Sequence, residues 1–158
     1  MRSLIVFGLM AAAVIQAADK YEGPRPDKAD VPFIKHASKL IPLEVGEMKE
    51  ESGKKDNSIM AMTGANSPTR TPLAEPLFLF QSDRLDPARL ELYKVEIKNG
   101  RREIVFKKKG PGGPRPYRIM VNPLGEKLYR IDVNETLDNG QYCLSPSGDN
   151  RVFCFEVF

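Results

Sequence analysis

The chain has 158 residues, a formal net charge of +3, 13 prolines, two cysteines and no tryptophan. That length suits one domain with a real core, and so many prolines cut the chain into short pieces, which argues against long helices. A net charge of +3 is too small to define a nucleic acid or another anionic partner.

Residues 1–17 read as a signal peptide. Arg2 supplies the positive end, residues 4–15 are apolar apart from Gly8, and Ile15 and Ala17 suit the positions three and one before a cut. The run is too short for a comfortable transmembrane helix, which takes about 20 residues. The expectation is an exported protein, periplasmic or extracellular, with no stable membrane insertion after cleavage. Removing residues 1–17 from 158 leaves 141. Residues 18–30, with Pro24 and Pro26, form an extended polar leader. Residues 31–158 form a single domain.

Residues 31–36 and 40–48 read as the first strands, and Pro32 and Pro42 place them at edges or bends. His36 is the single histidine, so it reads as a sheet or turn residue. No metal or other cofactor is expected, because a metal site needs several ligands. Residues 49–57 are a charge run and read as a solvated loop. Residues 58–63 make a short apolar strand. Residues 64–76 hold Pro68, Pro72 and Pro76 and few large apolar side chains, as a crossover between sheets would. Long ordered loops often carry function, which makes Asn66, Thr69, Arg70 and Thr71 candidate contact residues. A plain structural crossover accounts for the same residues.

Residues 77–81 are a strand, residues 82–87 turn, and residues 87–89 give one helical turn. Residues 90–98 and 101–107 then form a hairpin through Asn99-Gly100, because a type I′ turn needs positive φ at both positions. This register sets Tyr93 against Phe106 and Val95 against Ile104 on an apolar face, with Lys98 opposite Arg101 and Glu96 opposite Glu103 on the other. Residues 107–118 concentrate positive charge among glycines and prolines. Lys107, Lys108, Lys109, Arg115 and Tyr117 are therefore candidate contacts for an anionic surface. Tyr117 is the single aromatic there, so a base-stacking surface is not indicated. Only Tyr21 and Tyr117 look free of core faces.

Residues 117–121 and 127–133 form a third hairpin around Asn122-Pro123-Leu124-Gly125. Asn134-Glu135-Thr136 matches the glycosylation sequon, a short signal that often arises by chance. The end of the chain is the most informative stretch. A loop over residues 147–150 sets Leu144 against Phe153 and Cys143 against Cys154. Tyr142, Leu144, Phe153, Phe155 and Val157 then share an apolar core face, while the cysteine face carries Gln141, Ser145 and Glu156 and leans to solvent. Directly opposed cysteines in a non-hydrogen-bonded pair come close enough for a disulfide in an exported protein.

Residues 137–142, Leu-Asp-Asn-Gly-Gln-Tyr, resemble the corner of immunoglobulin-like sandwiches, where a leucine, a turn and a glycine precede a tyrosine at the start of a strand. The resemblance implies an antiparallel β-sandwich whose tyrosine hydroxyl bonds back to the corner backbone. The chain departs from the antibody pattern: Cys143 follows Tyr142 directly, and there is no tryptophan or earlier cysteine. The chain after the signal peptide also looks like small exported bacterial proteins of unassigned function, which implies a compartment and no activity. The fold expectation is therefore all-β, an antiparallel immunoglobulin-like β-sandwich after an N-terminal signal peptide.

An enzyme is not expected. The chain lacks a Gly-x-Ser-x-Gly elbow, a Cys–His pair and a zinc-type cluster. Asp83 with Asp86, or Asp138 with Asp149, fits turn chemistry as well as any acid–base pairing. The expectation is a non-catalytic binding or interaction module whose partner is a protein or a cell-envelope component. Two alternatives stand: a carbohydrate-binding module without the usual tryptophan platform, and a small outer-membrane β-barrel ending at Phe158.

Overall fold

The computed structural model describes residues 20–107, 110 and 113–158. The signal-peptide expectation falls on residues outside these. The described chain is all-β and antiparallel, a sandwich of two sheets. In chain order its strands are β1 (Pro32–His36), β2 (Lys39–Pro42), β3 (Glu44–Glu47), β4 (Lys49–Ser52), β5 (Ser58–Thr63), β6 (Arg70–Thr71) and β7 (Leu77–Gln81). There follow β8 (Leu90–Lys98), β9 (Arg101–Phe106), β10 (Ile119–Gly125), β11 (Leu128–Val133), β12 (Gly140–Pro146) and β13 (Arg151–Val157). One sheet runs β10-β11-β7-β1-β2; the larger runs β3-β13-β12-β8-β9-β5-β4, with the short β6 lying parallel to β13.

The larger sheet closes on itself. Its two ends, β3 and β4, are consecutive and separated by Met48 alone. The Met48 N–H still donates to the Asn150 carbonyl at 2.8 Å, extending the ladder with β13. One residue later, Lys49 pairs with Ala61 of β5. A single strand thus serves both ends of the sheet, and with β3 and β4 taken as one the ring has six strands. Strand directions alternate around it, as an antiparallel barrel requires, and closure removes both edges.

Alternation then sorts the side chains into two cores. Met48, Met62, Tyr93, Val95, Ile104, Val152 and both cysteines fill the ring. Tyr142, Leu144, Phe153 and Phe155 point the other way and pack on Ile34, Phe78, Phe80 and Ile131 of the five-stranded sheet. The lumen is tight. A Cβ added to Gly46 would lie 2.6 Å from Cε of Met62, so the end of that methionine lies directly over the β3 backbone.

The carboxy-terminal hairpin has the expected register, with Cys143 opposite Cys154 and Leu144 opposite Phe153. The two cysteines form a disulfide, with Cα atoms 4.0 Å apart. Their surroundings differ from expectation. Both are fully buried and Gln141 is only 3% exposed, because the face read as solvated lines the closed barrel. The same closure corrects the reading of residues 49–57 as a loop. Lys49–Ser52 is a strand with four exposed residues, whose polar character marks an outer wall.

The Asn99-Gly100 turn forms as expected, with φ of 50° and 73°, and Glu96 opposes Glu103 while Lys98 opposes Arg101. The third hairpin turns later than expected, at Glu126-Lys127, with φ of 54° and 58°, and β10 runs on through Pro123 to a bulge before Gly125. The reason lies in the ladder. The Asn134 N–H donates to the Arg118 carbonyl, and the register pairs Ile119 with Val133. Backbone groups alternate, so those of Ile119, Val121 and Pro123 face away from β11. Proline at 123 therefore costs no ladder bond. Pro42 on β2 occupies the same kind of outward position, since Leu43 N–H donates to Pro32 and Ile34 pairs with Ile41.

The described part of the leader is fastened to the domain. Arg25 reaches Glu126 at 3.1 Å. Asp30, buried and at φ 58°, accepts N–H bonds from Asp83, Arg84 and Leu85 at 2.8, 3.0 and 3.1 Å. Burial pushes its carboxyl up, but the three donors outweigh burial and hold it below the ordinary value.

Candidate functional site

The long crossover after β5 covers one end of the barrel. Arg102, 1% exposed, extends from β9 inside that end. Its guanidinium grips Glu44 of β3 through two bonds of 2.6 and 2.8 Å, and its Nε donates to the Gly64 carbonyl at 2.9 Å. Burial pushes the Glu44 carboxyl up, and the Arg102 bonds more than reverse it, leaving the group below its usual value. Gln141 of β12 accepts the Ser67 N–H at 2.9 Å, and the Ser67 hydroxyl donates to the Cys154 carbonyl at 3.2 Å. The crossover is thus bonded to three strands of the ring.

This placement divides the crossover residues singled out above. Thr69 is buried, and its hydroxyl donates to the Pro42 carbonyl at 3.0 Å. Thr71 is buried in β6, where its hydroxyl accepts the Leu73 N–H at 3.2 Å. Asn66 and Arg70 are exposed. Arg70 lies 3.0 Å from Glu156 and stacks its guanidinium 4.3 Å above the ring of Phe158. Asn66 and Arg70 are therefore the outward-facing pair of that set. Arg102, Glu44 and Gln141 were not singled out in the sequence. The available signal was a lone arginine with the same parity as Ile104 and Phe106 on an apolar strand face.

The basic segment after β9 is held at its far root. Arg115 makes a two-point contact with Glu135 at 3.0 and 2.8 Å, and the Arg118 N–H donates to the same carboxylate at 2.7 Å. Tyr117 donates its N–H to Leu92 at 2.7 Å and meets Tyr142 edge to face, with centroids 5.6 Å apart. Tyr117 is half-buried at the rim of the inter-sheet core, and so is not the free aromatic that the sequence indicated. Lys107 is exposed; Lys108 and Lys109 lie outside the described residues.

Between this root and the outer wall of β8 and β9 lies a groove of about 390 Å³, lined by Lys94, Glu96, Glu103, Lys107, Gly113 and Pro114 among others. Glu103 is buried and held by Arg101 at 2.6 Å, and Arg101 reaches on to Glu51 at 3.0 Å. The exposed groups of the groove are Glu96 and Lys94 on β8 and Lys107 just after β9, so both signs of charge stand side by side. At the corner beside it the Tyr142 hydroxyl donates to the Asp138 carbonyl at 2.8 Å, and burial raises its pKa. Among the described residues, no three His, Cys, Asp or Glu side chains gather as a metal site, and no helix is long and apolar enough to cross a membrane. In comparisons with protein-family models, curated proteins and solved structures, nothing matches this chain.

Proposed function

We propose that the protein is an exported, non-catalytic interaction module that binds a protein or another cell-envelope component through the basic segment and the groove beneath it. The observation that carries this reading is the fastening of that segment. Glu135 grips Arg115 and the Arg118 backbone, and Tyr142 seats Tyr117, so the segment emerges from a fixed base. A base already fixed by these contacts adds little ordering cost of its own on binding. Export is supported by the apolar amino-terminal stretch and by the disulfide, which suits an oxidising compartment. The outer wall opposite the second sheet carries Lys49, Glu51 and Arg101, which suits water and not lipid.

The test is a pull-down from cell-envelope extract of the source organism. The native protein is compared with a variant carrying Lys107→Glu, Lys108→Glu and Lys109→Glu. The reading expects one or more envelope components to be lost with the lysines while the fold, followed by circular dichroism, is unchanged. Equal recovery of every component removes the basic segment from the function.

A further inference from the structure

Phe33, Leu79 and Leu128 belong to neither core. By alternation they point away from Ile34, Phe78 and Ile131, onto the outer face of the five-stranded sheet, yet they are only 4%, 1% and 0% exposed. The leader crosses that face. Its Pro24, Arg25, Asp27 and Lys28 border a cavity of about 320 Å³ together with Phe33 and Leu40. Charge fastens this strap at both ends. Lys20 and Arg25 meet Glu126 at 4.0 and 3.1 Å, and Asp30 closes on the turn after β7. The second fastening has the form of a binding site. The N–H groups of Asp83, Arg84 and Leu85 converge on one carboxylate, with the Arg84 nitrogen 3.0 Å from both oxygens. Successive N–H groups of a turn aimed at one spot make a concavity for an anion. The turn has supports of its own: Ser82 donates its N–H to the Lys127 carbonyl at 2.8 Å and its hydroxyl to the Leu85 carbonyl at 2.7 Å. Asp30, by contrast, sits at φ 58° and gives up water to reach the turn.

We propose that the turn over residues 83–85 is an oxyanion site, which Asp30 fills as a ligand carried on the chain, so that a free oxyanion competes for the turn and releases the leader. The class of ligand follows from the donors. The bonds to the carboxylate all come from backbone N–H groups, so the ligand is an acceptor with negative charge, a carboxylate or a phosphate. Arg151 places positive charge near the same spot. Asp30 is held at high local concentration by its tether, and a free anion must outcompete it. Release has a structural consequence, since the leader is the described segment that lies over Phe33 and its neighbours on the outer face. The turn thereby couples anion binding to exposure of an apolar surface.

Asp30→Gly deletes the tethered ligand and leaves the backbone at ease, because glycine takes φ 58° without strain. The variant is titrated with sodium formate and with sodium phosphate, against sodium chloride at equal ionic strength, and the backbone amides of residues 83–85 are followed by NMR. Formate or phosphate should move those amides saturably, and chloride should not. In the native protein the same shift should need at least about tenfold more anion, because Asp30 competes. The tighter of the two anions identifies the ligand as a carboxylate or a phosphate. Trypsin reads the strap. Cleavage after Lys28, relative to cleavage after Lys107, should be faster in Asp30→Gly than in the native protein. In the native protein formate or phosphate should accelerate it, and chloride should not. This native arm needs no variant, so it decides the matter even where Asp30→Gly does not fold. Amides of residues 83–85 that respond to no oxyanion beyond chloride overturn the site. Cleavage after Lys28 that no oxyanion accelerates in the native protein overturns the release.

Discussion

Replacing Cys143 and Cys154 together by alanine should cost this protein a large share of its stability. The bond closes a span of 11 residues. On the chain-entropy model a loop of that size contributes about 2.8 kcal/mol at 25 °C by restricting the unfolded chain. The substitution also empties the volume of two sulfurs in the barrel lumen, where Cys154 Sγ lies 3.7 Å from Met62 Sδ. A small residual cavity adds about 1–2 kcal/mol. The expected loss is about 4 kcal/mol, from a total that for a domain of this kind is about 5–15 kcal/mol. Urea unfolding followed by circular dichroism reads it as a fall in midpoint together with a rise in m, because the unfolded chain without its cross-link exposes more surface. A loss below about 1 kcal/mol with m unchanged would refute the account. Burial adds a kinetic arm. Both sulfurs are fully enclosed, so thiol reduction of the native protein must wait for unfolding, and its rate should saturate as dithiothreitol is raised. A rate rising linearly throughout would show that the lumen is open.

Three further outcomes follow from single contacts. Gly46→Ala should cost less than about 1 kcal/mol, because the added methyl meets the mobile end of the Met62 side chain, and a double-mutant cycle with Met62→Ala should show the coupling between the two positions. Tyr142→Phe should cost about 1 kcal/mol in the same urea assay, because the Asp138 carbonyl loses its donor while the ring packing is kept. Glu135 is held down to about 2 by the Arg115 bonds first and the Arg118 N–H second. Its folded value lies below its unfolded one, so the clasp is complete above the ordinary carboxylate range and is lost as pH falls through about 2. A carbon-detected titration of the Glu135 carboxyl should show that midpoint; a value at the unperturbed position, about 4.3, would mean that Arg115 is not held in solution.

Much of the local structure was legible in the sequence because it rests on short-range rules. Asn99-Gly100 specifies its turn through positive φ, and the last hairpin specifies its register by counting. What could not be read was the closure. A strand of an open sandwich and a strand of a closed barrel carry the same period-two pattern, and Met48 between Glu47 and Lys49 gives no sign that it joins two ends of a sheet. From that omission the other differences descend. The charged run 49–52 looked like a loop because all four of its residues are exposed and it shows no apolar alternation, and the cysteine face looked wet because its neighbours Gln141 and Glu156 are polar. The displaced third turn has another cause. Pro123 reads as a breaker unless the direction of its missing N–H is known, and that direction depends on the register of β10 against β11.

The carboxy-terminal hairpin is the wall shared by both cores, and this explains its composition better than a one-sided strand does. Four successive residues of β12, Gln141 to Leu144, are buried, as are four of β13, Val152 to Phe155. The ring-bearing side chains serve the inter-sheet core, which is wide and takes Tyr142, Phe153 and Phe155. The opposite side serves the six-stranded lumen, to which the hairpin contributes the disulfide, Val152 and the Gln141 amide while the other strands supply Met48, Met62, Tyr93 and Ile104. On the hairpin the rings fall on one parity and the small side chains on the other, because the large lumen residues come from the other strands of the ring. The polar members on the lumen side are satisfied from within, Gln141 by the Ser67 N–H and the Cys154 carbonyl by the Ser67 hydroxyl. The crossover that covers the barrel end is thus tied to the same two strands that carry the cross-link. Loosening the hairpin must disturb both cores and the crossover together, so the sheets of this sandwich stand or fall as one cooperative unit.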